Sequence, residues 1–173
     1  LDPDAINMTD EDGWYPINHA ISGIQYRIDP TTAIEMVRFL LDCDGSSLRQ
    51  VTKSDLMPLH YVCGEKNLDD AFSLEILTLF VEKCPESVRH ADSNGTLPLH
   101  HACGEGEKSP EFCRILIEAY PGSEQSADNR GALPFHWACK YGTVATAEYL
   151  YKLYPDAMNV ADKDGRYPIH FAI

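Results

Sequence analysis

Seven histidines, six cysteines and 27 Asp or Glu residues in a chain of 173 are enough donors to assemble a metal centre or a nucleophile. Their spacing points elsewhere. His60, His100, His136 and His170 each stand two residues after a proline, one in each of four successive stretches of similar length. A catalytic site needs unlike groups converging on one point, whereas one group repeated at such intervals forms a ladder with rungs about a helix diameter, ~10 Å, apart. That separation exceeds a shared metal shell. His100 and His101 are neighbours, but adjacent helical residues point to different faces and make a poor zinc pair. Cys63, Cys103 and Cys139 stand three residues after a histidine, at a place that Ile21 and Ile173 fill in the flanking segments. This marks a small apolar packing position, which suits a free thiol. Ladder neighbours lie beyond the roughly 7 Å Cα separation a disulfide tolerates, so six reduced thiols and a cytosolic or nuclear compartment are expected. There is no C-x-x-C pair, G-x-S-x-G, glycine-rich phosphate loop or H-E-x-x-H, and no catalytic residue, cofactor or metal ligand is assigned.

Composition narrows the partners. Fourteen Lys or Arg against 27 Asp or Glu give a formal charge of −13, a surface that repels phosphate backbones, so nucleic acid is not expected as a partner. No apolar run approaches the 18 or so residues of a membrane span, and a small-molecule ligand has no motif to support it. The opening stretch, LDPDAINMTD, matches LYPDAMNVAD at 153–162, which predicts that the array is part of something longer.

The elements that position these residues follow from an internal repeat. Its copies are DEDGWYPINHAI (10–21), TKSDLMPLHYVC (52–63), DSNGTLPLHHAC (92–103), DNRGALPFHWAC (128–139) and DKDGRYPIHFAI (162–173), and the interval between them shortens along the chain. Asn, Asp and Gly open each unit with a tight turn. The proline that follows (Pro16, Pro58, Pro98, Pro134, Pro168) suits a first helical position, where its missing N–H is not needed. A second helix follows with one apolar face, Ile76, Leu77, Phe80 and Val81 in one unit and Phe112, Cys113, Leu116 and Ile117 in the next. Asp29-Pro30 and Ser109-Pro110 read as its starts. Pro85, Pro121 and Pro155 stop it. The excess length lies at 22–33, 64–73 and 104–110, which read as surface insertions tolerated at small entropic cost.

The phrase D-x-x-G-x-x-P-L-H-x-A resembles the ankyrin repeat over the whole chain. The resemblance implies an all-α solenoid of helix-turn-helix units joined by projecting β-hairpin-like turns. It forms one array, with the tail of a repeat at 1–9, repeats at 10–51, 52–91, 92–127 and 128–161, and a partial repeat at 162–173. Departures from the pattern are specific. Tyr15, Met57, Leu97, Leu133 and Tyr167 replace the family threonine, so an apolar contact should replace its hydroxyl; Asn18 stands in for the histidine, and Asp55 for the turn glycine. In the family the histidine bonds backbone in the turn region.

The family also implies binding of another protein through turn tips and the concave groove of the first helices. Trp14, Leu56, Thr96, Arg130 and Arg166 read as tip residues. The residue after the motif histidine gives an aromatic stripe of His19, Tyr61, His101, Trp137 and Phe171, with Glu65, Glu105, Lys140 and Tyr141 edging the same groove. The stripe reads equally as hot-spot anchors or as packing between first helices. An acidic rim would favour a partner with a basic surface or an extended basic peptide, although solubility alone also accounts for the acidity. The leading expectation is a noncatalytic interaction scaffold. The competing ones are the recognition arm of a larger enzyme, such as a ubiquitin ligase or kinase, and an array that stacks end to end.

Overall fold

A computed structural model describes residues 6–23, 30–43, 45–66, 69–104 and 107–172. Short helices open at the repeated proline: α1 (Pro16–Ser22), α3 (Pro58–Gly64), α5 (Pro98–Cys103) and α7 (Pro134–Tyr141), with a 3₁₀ turn at Pro168–Phe171. Longer helices alternate with them: α2 (Pro30–Cys43), α4 (Asp70–Lys83), α6 (Pro110–Ala119) and α8 (Val144–Leu153).

Local chemistry accounts for each start. The residue before proline is driven out of the helical region, and Tyr15, Met57, Leu97, Leu133 and Tyr167 are all extended. None carries a capping side chain on the helix. Instead the third helical residue reaches back: Nδ1 of His60, His100, His136 and His170 accepts the backbone N–H of Met57, Leu97, Leu133 and Tyr167 at 3.1, 3.1, 3.0 and 2.8 Å. This is the returning half of a capping box, made by imidazole in place of Glu or Gln. Asn18 Oδ1 makes the same bond to Tyr15 at 3.0 Å, so the replacement of histidine in the first unit preserves the acceptor. Met57, Leu97 and Leu133 are buried, as the apolar replacement of threonine requires.

The longer helices begin on ordinary caps. Asp69 accepts from Ala71 and Phe72, Ser109 from Phe112, and Thr143 from Thr146. The helix expected at Asp29-Pro30 opens at Pro30, and Asp29 lies outside the described residues. Cys84, Tyr120 and Tyr154, each preceding a proline, leave the helix at φ −146°, −137° and −137°. Two of those prolines then open a 3₁₀ turn of their own, Pro85–Arg89 and Pro155–Asn159.

Helices pack in order along the chain: α1 on α3, α3 on α5, α5 on α7, and on the other layer α2 on α4, α4 on α6 and α6 on α8. Ile76, Leu77, Phe80, Phe112, Cys113 and Leu116 fill the space between, while Val81 and Ile117 sit at the edge of that face and are half-buried. Cys63 and Cys103 are fully buried, and Cys139 partly.

One expectation is refined and another needs correction. No strand occurs among the described residues, where the turns are tight loops without a strand ladder. Each is instead closed by two backbone bonds, as in Asp92 N–H to the Thr96 carbonyl (3.0 Å) and Gly95 N–H to the Asp92 carbonyl (2.8 Å). Single backbone-to-backbone bonds tie one turn to the next: Ser93 N–H to Ser54 O, Asn129 N–H to Asn94 O, and Lys163 N–H to Arg130 O, at 2.8 to 3.1 Å. Nor are residues 107–110, the described end of the 104–110 insertion, a free surface segment. Lys108 is 3% exposed, its Nζ donates to the Glu65 carbonyl (2.7 Å) and to Ser73 Oγ (2.9 Å), and its own carbonyl accepts from Thr146 Oγ1 (2.7 Å). Phe72 and Ser73, in the segment read as a second insertion, are buried with it.

Candidate partner-binding surface

The turns that carry the tip residues are built on one carboxylate. Oδ1 of Asp10, Asp92, Asp128 and Asp162 accepts two backbone N–H groups, two and four residues on; for Asp128 these are Arg130 (2.8 Å) and Ala132 (2.9 Å). Such bonds stabilise the charged form. In Asp10 the Trp14 amide leads in holding the carboxyl below its usual range. In Asp92 and Asp162 burial pushes the carboxyl up, but the amides of Thr96 and Asn94, and of Arg166 and Asp164, outweigh it and the net shift is downward.

The second oxygen faces the first helix. Oδ2 of Asp10 meets Nε2 of His19 at 2.6 Å, Oδ2 of Asp92 meets Nε2 of His101 at 3.5 Å, and Oδ2 of Asp128 accepts Nε1–H of Trp137 at 3.2 Å. Thr52 stands in the carboxylate's place in the second unit, where no hydrogen bond joins its Oγ1 to Tyr61. Phe171 has nothing to donate, and there Arg166 Nε fills the role on Asp162 at 2.8 Å. A separation of nine residues between turn Asp and ring recurs through the chain (10/19, 92/101, 128/137) and was legible in the sequence. Three members of the aromatic stripe, His19, His101 and Trp137, are therefore anchored to the turns. The stripe is also continuous in part: Trp14 meets Tyr61 edge-on at 4.9 Å between ring centroids, and Trp137 lies 5.9 Å from His101 and 6.2 Å from Tyr141.

Two depressions gather the sequence candidates. Leu56, Tyr61, Glu65 and His101 line one of about 200 Å³, together with Ser22, His60 and Gly64. Arg130, Trp137, Lys140, Tyr141, Arg166 and Phe171 line a larger one of about 300 Å³, to which Asn94, Asp128 and Asp162 also contribute. Trp14 and His19 lie outside both and join the first only through the Trp14–Tyr61 contact. Thr96 is 2% exposed and held at the base of its turn, so its side chain is not at a tip. Glu105 lies outside the described residues.

Three of the ladder histidines, His60, His100 and His136, are buried. Burial lowers the pKa of His60 and of His100 to about 4, and that of His136 in the same direction. His100 and His101 turn to different partners, the Leu97 amide and the Asp92 carboxylate. Burial raises the thiols of Cys63, Cys84, Cys103 and Cys139, the direction of unreactive cysteine. One cysteine pair the repeat spacing did not suggest is Cys103 and Cys113, within a single unit, whose sulfurs lie 3.8 Å apart.

Short proline-started helices, capped by a returning imidazole and paired with longer helices that stack in chain order, define a helical repeat protein. The family model for ankyrin repeats in three copies matches residues 70–161, and the chain belongs to the ankyrin-repeat family. Ankyrin repeats generally mediate protein–protein interaction. No curated protein matches the chain. No helix among the described residues is long and apolar enough to cross a membrane.

Proposed function

We propose that the chain is a noncatalytic scaffold, a solenoid that binds a partner protein along the first helices and the tips of the turns. The observation that carries this reading is the convergence of ten sequence candidates from several units onto two depressions lined by first helices and turns. Trp137 and His101 there are partly exposed yet held by the turn carboxylates of Asp128 and Asp92, which lowers the entropy cost of using them as anchors. Positions 1–127 carry nine Lys or Arg against 22 Asp or Glu, so a partner with a basic surface or an extended basic segment is drawn to that part of the groove.

The test is site-specific photo-crosslinking on the folded chain. A benzophenone side chain replacing Tyr141 or Leu56 should capture a partner polypeptide, while the same group replacing Glu82 or Glu118, exposed on α4 and α6, should not. Capture from the longer helices alone, or equally from both faces, would overturn the reading.

A further inference from the structure

The charge of this protein is divided along its length. The whole net charge of −13 lies in positions 1–127, whereas positions 128–173 hold five Lys or Arg against five Asp or Glu. The division is sharper at the level of individual side chains. In the acidic part Arg38 pairs with Glu75, Arg49 with Glu86, Lys66 with Glu107, and Arg114 with Glu111 and Glu118. In the larger depression the acids are the occupied partners. Asp128 spends Oδ1 on two amides and Oδ2 on Trp137; Asp162 spends Oδ1 on two amides and Oδ2 on Arg166, which also pairs with Asp164. Arg130 and Lys140 line the same depression, and neither guanidinium nor ammonium has an ion pair or hydrogen bond among the described residues. Lys140 instead lies over the Tyr141 ring at 4.4 Å and within 5.8 Å of Phe171, a ring that also carries Arg166 at 5.0 Å.

We infer that the groove between Arg130, Lys140 and the rings of Trp137 and Tyr141 takes an acidic segment of the partner protein, an Asp or Glu flanked by an apolar residue. The carboxylate would sit between the two unpaired cations, and the apolar neighbour on the exposed Tyr141 ring and the edge of Trp137. Lys140, held against the Tyr141 ring, keeps less water than a free ammonium, so a carboxylate displaces little to reach it. Together with the acidic positions 1–127, this gives the groove a polarity: a partner segment with basic residues toward one end and acidic residues toward the other can dock in only one direction.

This inference rests on the groove reading above, and its test separates the two. A random twelve-residue peptide library is selected against the folded chain, and enriched peptides are measured by fluorescence anisotropy on wild type, on R130E/K140E and on Y61A. The expected result is enrichment of Asp or Glu beside an apolar residue. Affinity for these peptides should fall at least about tenfold in R130E/K140E, since like charges across an interface are strongly unfavourable, and should fall as salt rises. Enrichment of Lys- or Arg-rich peptides alone, or acidic peptides that bind R130E/K140E as tightly as wild type, overturn the inference. If such peptides lose affinity in Y61A, the groove reading stands without it; if no peptide depends on either site, both fall. Thermal melts of each variant confirm that Arg130 and Lys140, both exposed, are not needed for folding.

Discussion

The indole Nε1–H of Trp137 donates to Oδ2 of Asp128 at 3.2 Å, while Oδ1 of the same carboxylate holds the amides of Arg130 and Ala132. One carboxylate thus sets the turn and orients the groove ring. Trp137→Phe keeps an aromatic ring and removes a single bond, for an expected loss of about 1 kcal/mol, whereas Asp128→Ala removes three and should cost about 2–3 kcal/mol. Urea unfolding at neutral pH measures both. Equal losses would mean that the indole bond contributes nothing separable from the turn.

Acid sensitivity should come first from the capping imidazoles. Nδ1 of His60 and His100 accepts a backbone amide, so protonating that nitrogen destroys the cap, and burial has lowered both pKa values to about 4 from 6.5. Between those limits the unfolded chain binds more protons than the folded one, so the contribution is complete above pH 6.5 and is lost as pH falls toward 4. At about 1.4 kcal/mol per unit, each imidazole accounts for roughly 3 kcal/mol across that window. Asn18 shows the remedy, since its Oδ1 caps Tyr15 without titrating. H60N/H100N should lose about 1–3 kcal/mol at pH 7 from missing ring volume, yet its melting temperature should fall much less than that of wild type between pH 7 and pH 5. A variant as acid-sensitive as wild type would place the titration elsewhere.

Lys108 pins an insertion into the core. Lys108→Ala removes the donor to the Glu65 carbonyl and the Ser73 hydroxyl, and the expected cost is about 2–4 kcal/mol, with faster amide exchange through 107–109. Burial lowers the pKa of this ammonium below 10.5, so its charging is penalised in the fold. Stability of the wild type should therefore rise with pH through the folded value and up to 10.5, and Lys108→Met should abolish that rise. If Lys108→Ala lost less than about 0.5 kcal/mol, the range of an ordinary surface substitution, the segment would be a simple surface loop after all.

Backbone positions give predictions of opposite sign. Asp55 holds φ +57° where the other turns place Gly13, Gly95, Gly131 or Gly165, and Asp55→Gly should stabilise by about 1 kcal/mol. Gly142 has an ordinary φ of −84°, but a Cβ there would collide with the Cys103 carbonyl oxygen and stand 2.9 Å from Ala138. Gly142→Ala must push α7 away from α5, an expected loss of about 3 kcal/mol or more. Thermal melts of the two single variants decide both signs.

Contacts three or four residues long were open to sequence reasoning because local geometry makes them wherever the residues occur. The proline starts, the extended residue before each, the Asp and Gly turns and the place of the histidine were legible on that ground. The family resemblance supplied the reason for the histidine, and Asn18 confirms it by replacing one acceptor with another. Reading 104–110 as surface failed because Lys108 finds its acceptors 35 and 43 residues earlier, and its carbonyl a donor 38 residues later. Those distances close only when neighbouring units stack. Thr96, read as a tip residue, is buried at the base of its turn, its amide held by Asp92 and its carbonyl accepting from the Asp92 amide. The residue types of the groove, aromatic and charged, were written in the chain. Which charges remain unpaired was decided by the tertiary structure, since a carboxylate already saturated by two amides and a ring N–H has little left to offer Arg130 or Lys140.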